Sequence, residues 1–530
     1  MNSFRKLFTV IAILATGVAI MQCSDDEDAP PSLPQVTSDT QTLGVKFGEV
    51  KTFTITVSAA GKLKDVTATA DKGTVTVTDI TGVNEATGTA NINYTAPFDE
   101  VTGKITILVH DQIDQEAKLE VALNITAQPP VDVLAGDVEG VWGPSRVYNI
   151  KGNVRIAAGK TLTVKEGTTI IVEGDGTQAN SPGFVVDGNF YSMGTAEKPV
   201  LFTVPDAKKV KANIFKGLWG GVLATATSTE MVVLYTRFEY AGAPAVAGTP
   251  IVTSGELEEG DPRFTLYFNN PNGKFIMQNS TVAYTKDDGM RINQGQLLIT
   301  NNTYLLTGES GGEGLNVKSG SVGDVAFNVF ISTATNAVKW SNSDDRTPQN
   351  NVNVYNNTAI NCGWRQTKAG RGGSFNLEKG GRGKAYNNMA INCKYGTRFP
   401  KAPDNPDVDN SATGYNLYYG NNDESVTGFY PSTGSLEKGI SFETNKDISG
   451  AKNENDPKFV NFDVTTFNVD NEKNSANADF LAAYDVKLKA ESPALTKGKT
   501  GFATNFTVHT VSGTQYAVPV PANFIGAKGN

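Results

Sequence analysis

Five short segments share one pattern: GMRIN (289–293), GLNVK (314–318), AVKWS (337–341), SFNLE (374–378) and GTRFP (396–400). In a strand, successive side chains point to opposite faces. The second and fourth residues of each segment are therefore expected in a core, and the third and fifth on the outside. The third positions form a column of Arg291, Asn316, Lys339, Asn376 and Arg398. The fifth positions form a second column containing Asn293, Lys318, Ser341 and Glu378. Strands repeat at about 4.8 Å, a rise that suits an extended sugar chain passing several of them. Lys and Arg on such a face are suited to uronate or sulfate groups, which they hold by charge-assisted hydrogen bonds.

Acidic residues flank the same strip. Asp287 and Asp288 precede the first segment, Asp344 and Asp345 follow the third, and Glu313 lies between. Calcium takes several oxygen ligands in loose geometry, so the four aspartates are candidate calcium ligands. Two carboxylates could instead act as the acid and base of a glycosidase. Asp-Asp-Gly is also an ordinary turn, and a polar face with no catalytic role fits the same residues. The stretch GWRQTKAGRGGSFNLEKGGRGK concentrates Arg365, Lys368, Arg371, Lys379, Arg382 and Lys384 around many glycines, with Trp364 placed to stack on a sugar ring. The chain holds two histidines, His110 and His509, and no Ser–His–Asp constellation is visible. No Walker pattern or Cys-x-x-C is present.

The elements that must position these residues repeat. An aromatic or polar residue, then Asn, often Asn again, then a short apolar run recurs at Asn279, Asn301/Asn302, Asn328, Asn356/Asn357, Asn387/Asn388 and Asn416. The octapeptides YNNTAINC and YNNMAINC are two copies of it. Irregular repeats of short strands with Asn at a fixed corner predict a right-handed parallel β-helix over 137–450. The corner Asn is expected in a left-handed conformation, bonded to its counterparts above and below. Cys362 and Cys393 end the two copies and should stack as core thiols, although the spacing also permits a disulfide. Residues 451–530 are expected to form further coils and a cap.

Upstream, residues 34–128 alternate apolar and polar side chains in runs such as KTFTITVSA and AKLEVALNITA. They predict a small antiparallel, immunoglobulin-like β-sandwich, closed by a linker AQPPVDV. It would serve as a spacer, with a glycan-binding module as the alternative. The formal net charge of -9 argues against a nucleic-acid binder. Residues 1–22 read as a targeting segment: Arg5 and Lys6 precede an apolar run too short for a membrane span. Cys23 follows it, and SDDEDAPP opens an acidic, Pro-rich tether over 23–33.

A cysteine directly after such a run resembles a bacterial lipoprotein signal, with Cys23 as the lipidated residue, although Gln22 departs from the usual small residue. Ser followed by acidic residues resembles the surface-export signal of Bacteroidetes lipoproteins. From DVEGVWGPSRVYNIKGNVRIAAGKTLTVKEGTTIIVEGDG through KGLWGGVL to YTRFEYAGA, and again in NDPKFVNF, VKLKAESPALTKG and NFIGAKG, the chain resembles Bacteroidetes surface lipoproteins of the pectate-lyase-like β-helix superfamily. That resemblance implies an outer-membrane, lipid-anchored, surface-exposed protein that engages polysaccharide, with an outer-membrane transport complex as a further partner. It also implies a lyase alternative, in which calcium neutralises a uronate and Arg291, Lys339 or Arg398 removes the neighbouring proton. Such a base needs a lowered pKa, which a nearby Arg would give Lys339 or Lys318. The leading expectation is capture of an anionic glycan without cleavage; an adhesin or structural role is the third reading.

Overall fold

The computed structural model describes residues 30–99, 101–177, 179–430 and 442–530. The leader and the lipidation candidate Cys23 lie outside the described residues. The chain divides into two units between Thr126 and Ala127.

In the first unit, two four-stranded sheets face each other. Alternation decides what is buried: along Val50–Ser58, Phe53, Ile55 and Val57 point inward and the threonines point out. The strands pair antiparallel with one departure from expectation. Thr42–Lys46 runs parallel to Glu116–Thr126. His110 sits on the strand Val101–Asp111 with Nδ1 2.7 Å from Asp65 Oδ1.

The second unit is the expected coil. Among the described residues its strands form an 18-stranded and an 11-stranded parallel sheet, each strand pairing with its counterpart in the next turn. The octapeptide copies lie directly on one another: Thr358 pairs with Met389, Ala359 with Ala390 and Ile360 with Ile391. Their cysteines are buried free thiols. Aromatic rings stack between turns, as Tyr304 on Phe330 at 4.6 Å. The coil begins earlier than expected. Val131–Val133, read as linker, already pairs with Val147–Ile150 as the first strand of the 11-stranded sheet.

The asparagine corner is present but divided between two residues. The left-handed position is the first of each pair: Asn279, Asn301, Asn356 and Asn387 have φ of 50–58°, and Phe327 and Tyr415 occupy the same place. The following residue turns inward and builds the ladder. Backbone N–H of Ser280, Asn302, Asn328, Asn357 and Asn388 each donates to the side-chain oxygen of the next asparagine, at spacings of 22, 26, 29, 31 and 28 residues. Asp447 ends the series by accepting from Asn416 N–H at 2.8 Å. Burial pushes its carboxyl up to about 7.

The C-terminal region does not stack as further coils. It runs back over the outside of the helix. Gly526 N–H donates to Asn387 O and Ala527 N–H to Thr358 Oγ1, while Asn392 Nδ2 donates to Val464 O. The strands Thr358–Ile360 and Met389–Ile391 are accordingly buried on both faces. A hairpin, Val508–Val511 with Thr514–Ala517, packs Val511, Tyr516 and Val518 against Val232, Ile276 and Leu298.

Candidate functional site

The predicted column is real and in register. Arg291 pairs with Asn316, Asn316 with Lys339, Lys339 with Asn376, and Asn376 with Arg398. The alternate residues Met290, Ile292, Leu315, Val317, Val338, Trp340, Phe375, Leu377 and Phe399 fill the core. The same alternation therefore builds the core and aims the polar column outward.

The column is not the open face expected from alternation. Loops close over it, and Asn316, Asn376 and Arg398 are all more than nine-tenths buried. Part of it floors a cleft of about 170 Å³ lined by Glu313, Asn336, Lys339, Arg371, Asn376, Glu378, Lys379, Arg398 and Asp404 among others. That volume equals about six waters, the scale of one sugar ring rather than of a long groove.

At one end, Asp288 is spent on internal contacts. It accepts from Arg291 Nη2 at 2.8 Å, Asn316 Nδ2 at 3.0 Å and the Glu313 N–H at 2.8 Å. Burial alone would raise its pKa, but Arg291 and these donors hold it down to about 2. The Arg291 guanidinium also lies 4.0 Å from the Phe264 ring centroid. Gly312 lets the next loop come this close: its φ is 98°, and a Cβ there would meet the Asp287 carbonyl carbon at 2.6 Å.

At the cleft, Lys339 Nζ lies 2.9 Å from Glu378 Oε1 and 4.0 Å from Glu313 Oε1. Burial would lower the Lys339 pKa, but the two carboxyls outweigh it and raise the value. The base expected at Lys339 is thus a firmly held cation. Lys318 shows the lowered pKa instead, through burial and then the Lys339 and Arg291 charges. Burial and the Asp288 charge push Glu313 up to about 8. Glu378 is held below its usual value, because Lys339 and Asn376 outweigh burial. At pH 7 the ammonium therefore pairs chiefly with Glu378.

Several polar atoms here have no partner among the described residues: Arg398 Nε and the side-chain oxygens of Asn316, Asn336 and Asn376. The amide nitrogens of those asparagines already serve the carboxylates, as Asn376 Nδ2 does Glu378 at 2.7 Å. The orphaned oxygens are acceptors in want of a donor, and Arg398 makes no side-chain hydrogen bond or ion pair with any described residue.

Other expected site residues lie elsewhere. Trp364 is 3 % exposed, donates Nε1–H to Asn392 O at 2.7 Å and packs on Phe467, so it is a core residue with no face to offer a sugar. Arg365, in the stretch expected to be a flexible basic loop, is buried against Glu472. The four candidate calcium ligands do not converge. Asp344 pairs with Arg346, Asp345 accepts from Asn342, and Asp288 is committed to Arg291. Among the described residues no three His, Cys, Asp or Glu side chains are grouped to hold a metal.

Glu313 and Glu378 are the members whose central role sequence reasoning did not single out. A signal existed for Glu313. Asp288-Gly-Met and Glu313-Gly-Leu stand at the same offset before their strands, so Glu313 occupies the Asp288 position one turn on.

A pectate-lyase-like β-helix family model matches residues 136–230. A solved structure of the family 28 exopolygalacturonase of Yersinia enterocolitica aligns at 9 % identity, over 74 % of this chain and 92 % of that one, with a TM-score of 0.21. No curated protein matches.

Proposed function

We propose that this protein binds an anionic glycan, seating one acidic sugar residue in the Lys339–Arg398 cleft. The observation that carries the reading is Arg398, more than nine-tenths buried with its guanidinium 5.4 Å from the Tyr395 ring centroid, which makes no side-chain hydrogen bond or ion pair with a described residue and lies beside the orphaned oxygens of Asn336 and Asn376. A buried guanidinium that lacks a hydrogen-bonded anion is costly, and a sugar carboxylate supplies one in bidentate form. Sugar hydroxyls supply donors for the amide oxygens. Net charge agrees: Lys339, Arg371, Lys379 and Arg398 face Glu313, Glu378 and Asp404, and Glu313 is largely neutral at pH 7.

The leader, Cys23 and the acidic tether support placing this activity on a lipid anchor at the outer face of an outer membrane, with the sandwich as spacer. A transport complex that receives the glycan belongs to the same proposal. The cleft does not need calcium in this reading, because Arg398 supplies the positive charge.

The test is calorimetric titration of the full chain with polygalacturonate, alginate, hyaluronan and a neutral glucan, for wild type and Arg398→Gln. Losing charge-assisted bonds of about 1.5–3 kcal/mol should weaken uronate binding by about 10- to 100-fold. Equal affinity for the neutral glucan, or an unchanged Arg398→Gln, would sink the proposal.

A further inference from the structure

We infer that the coil carries a second sugar site, for a neutral disaccharide unit, in the cavity between its flank and the returning C-terminal region. This goes beyond the uronate reading above and does not depend on it.

The return of the chain builds the cavity, which encloses about 400 Å³. Its floor includes Asn361, which follows the strand Thr358–Ile360 of the 11-stranded sheet. Lys339 of the uronate cleft stands on the 18-stranded sheet, so the two sites belong to different sheets of the coil. The other walls come from residues 461–472 and 481–484. Asn461 Nδ2 donates to Ala483 O at 2.9 Å and ties those two segments together. Asn421 Nδ2 anchors the first of them to the coil, donating to Thr465 O at 3.0 Å and Phe467 O at 2.8 Å.

Asn361 is the side chain that the fold leaves over. Its counterpart in the next turn, Asn392, is used at both ends. There Oδ1 accepts from the Asn421 N–H at 2.8 Å, and Nδ2 donates to Val464 O at 2.8 Å. Asn361 has the same left-handed backbone, with φ 58° against 51°. It lines the cavity, and its Oδ1 has no partner among the described residues.

The lining sets the ligand class. Among the described residues no Lys, Arg or His lines the cavity. Of its two carboxylates, Glu472 is already paired with Arg365 and lies 3.2 Å from Ser332 Oγ, while Asp463 is exposed. An anionic sugar would find no counter-charge there and would face Asp463. A neutral sugar is matched instead. Its hydroxyls both donate and accept, as do the amides of Asn361, Asn468 and Asn471. The rings of Phe462 and Tyr484, 6.3 Å apart and at 83°, give apolar surface to the sugar's C–H groups. A purely apolar ligand would leave the amides unmet. The volume equals about thirteen waters and is more than twice that of the uronate cleft. That sets the ligand at two rings rather than one.

The test is saturation-transfer NMR and calorimetry on the full chain with cellobiose, lactose, mannobiose and digalacturonate. At least one neutral disaccharide should bind, and Arg398→Gln should leave that binding unchanged. Asn471→Trp and Ala482→Trp, each at an exposed position on the rim, put an indole into the cavity and should abolish it. Asn361→Gly keeps the left-handed backbone and should weaken it by about 2- to 10-fold, the worth of one neutral hydrogen bond. Failure of every neutral disaccharide to bind, or binding that both tryptophan variants leave intact, would overturn the inference. Digalacturonate that displaces the neutral sugar would overturn it as well. Uronate binding that Arg398→Gln removes and Asn471→Trp spares supports the cleft whatever happens here, so the two readings fail separately. Uronates and a neutral glucan are compared at the cleft in the Asn471→Trp chain, where this cavity is closed.

Discussion

Single side chains in this protein take their roles from what surrounds them more than from their type. Lys339 and Lys318 stand in adjacent outward columns, yet two carboxyls keep one charged while burial, and then neighbouring cations, disfavour charge on the other. Trp364 shows the same dependence. An aromatic beside basic residues has the composition of a sugar platform, but its ring is packed under Phe467 and its N–H is committed to Asn392 O. Trp364→Phe should therefore lower stability, by about 1–3 kcal/mol for one buried hydrogen-bond acceptor left unmet. Glycan affinity should not change. Urea unfolding alongside calorimetry checks this, and a loss of affinity at unchanged stability would restore Trp364 to the binding surface.

Elements hold together through the asparagine corner, where two adjacent residues do different work. Asn302 accepts from Ser280 N–H, and its own side-chain Nδ2 donates to Met277 O and Asn328 Oδ1. Removing it strands several buried groups in one network. Asn302→Ala should cost about 3 kcal/mol or more. Asn279 supplies only a left-handed turn at φ 53°, a conformation glycine adopts freely. Asn279→Gly should stay within about 0.5 kcal/mol of wild type. Urea midpoints of the two variants decide it, and comparable losses would mean the ladder carries no special weight.

The whole helix depends on a C-terminal region that covers its flank. His509 sits in the covering hairpin 2 % exposed, 4.4 Å from the Phe506 ring centroid, with Nε2 unpartnered among the described residues. Burial, then the Lys274 charge, lower its pKa to about 4. A base depressed in the folded state stabilises the fold above its unfolded value of about 6.5, and that contribution is lost as pH falls toward 4. The full effect is about 3 kcal/mol. Asp324, which accepts from Asn505 N–H and Phe506 N–H, works in the opposite sense. Burial raises it to about 6, so its protonation favours the fold as pH falls and offsets part of the loss. His509→Phe isolates the histidine: it should abolish the acid-induced rise in hydrogen exchange over 508–517. Persistence of that rise in the variant would assign it to other groups.

Much of this architecture is written in short-range pattern. Alternation in GMRIN, GLNVK, AVKWS, SFNLE and GTRFP is enough to predict which residues enter the core and which form the column, because side-chain direction in a strand depends only on position. Repetition of the Asn phrase predicts the coil, since each turn must offer its neighbour the same corner. Sequence could not show that loops from other turns would sink the column into a cleft, or that the C-terminal region would return over the outer wall instead of stacking. Nor could it separate the left-handed Asn from the ladder Asn, which differ by one residue and have the same side chain. The protonation of Glu313 and Glu378 was out of reach for the same reason. It depends on burial and on charges brought from neighbouring turns, Asp288 to Glu313 and Lys339 to both Glu313 and Glu378, and those proximities exist only once the coil has closed.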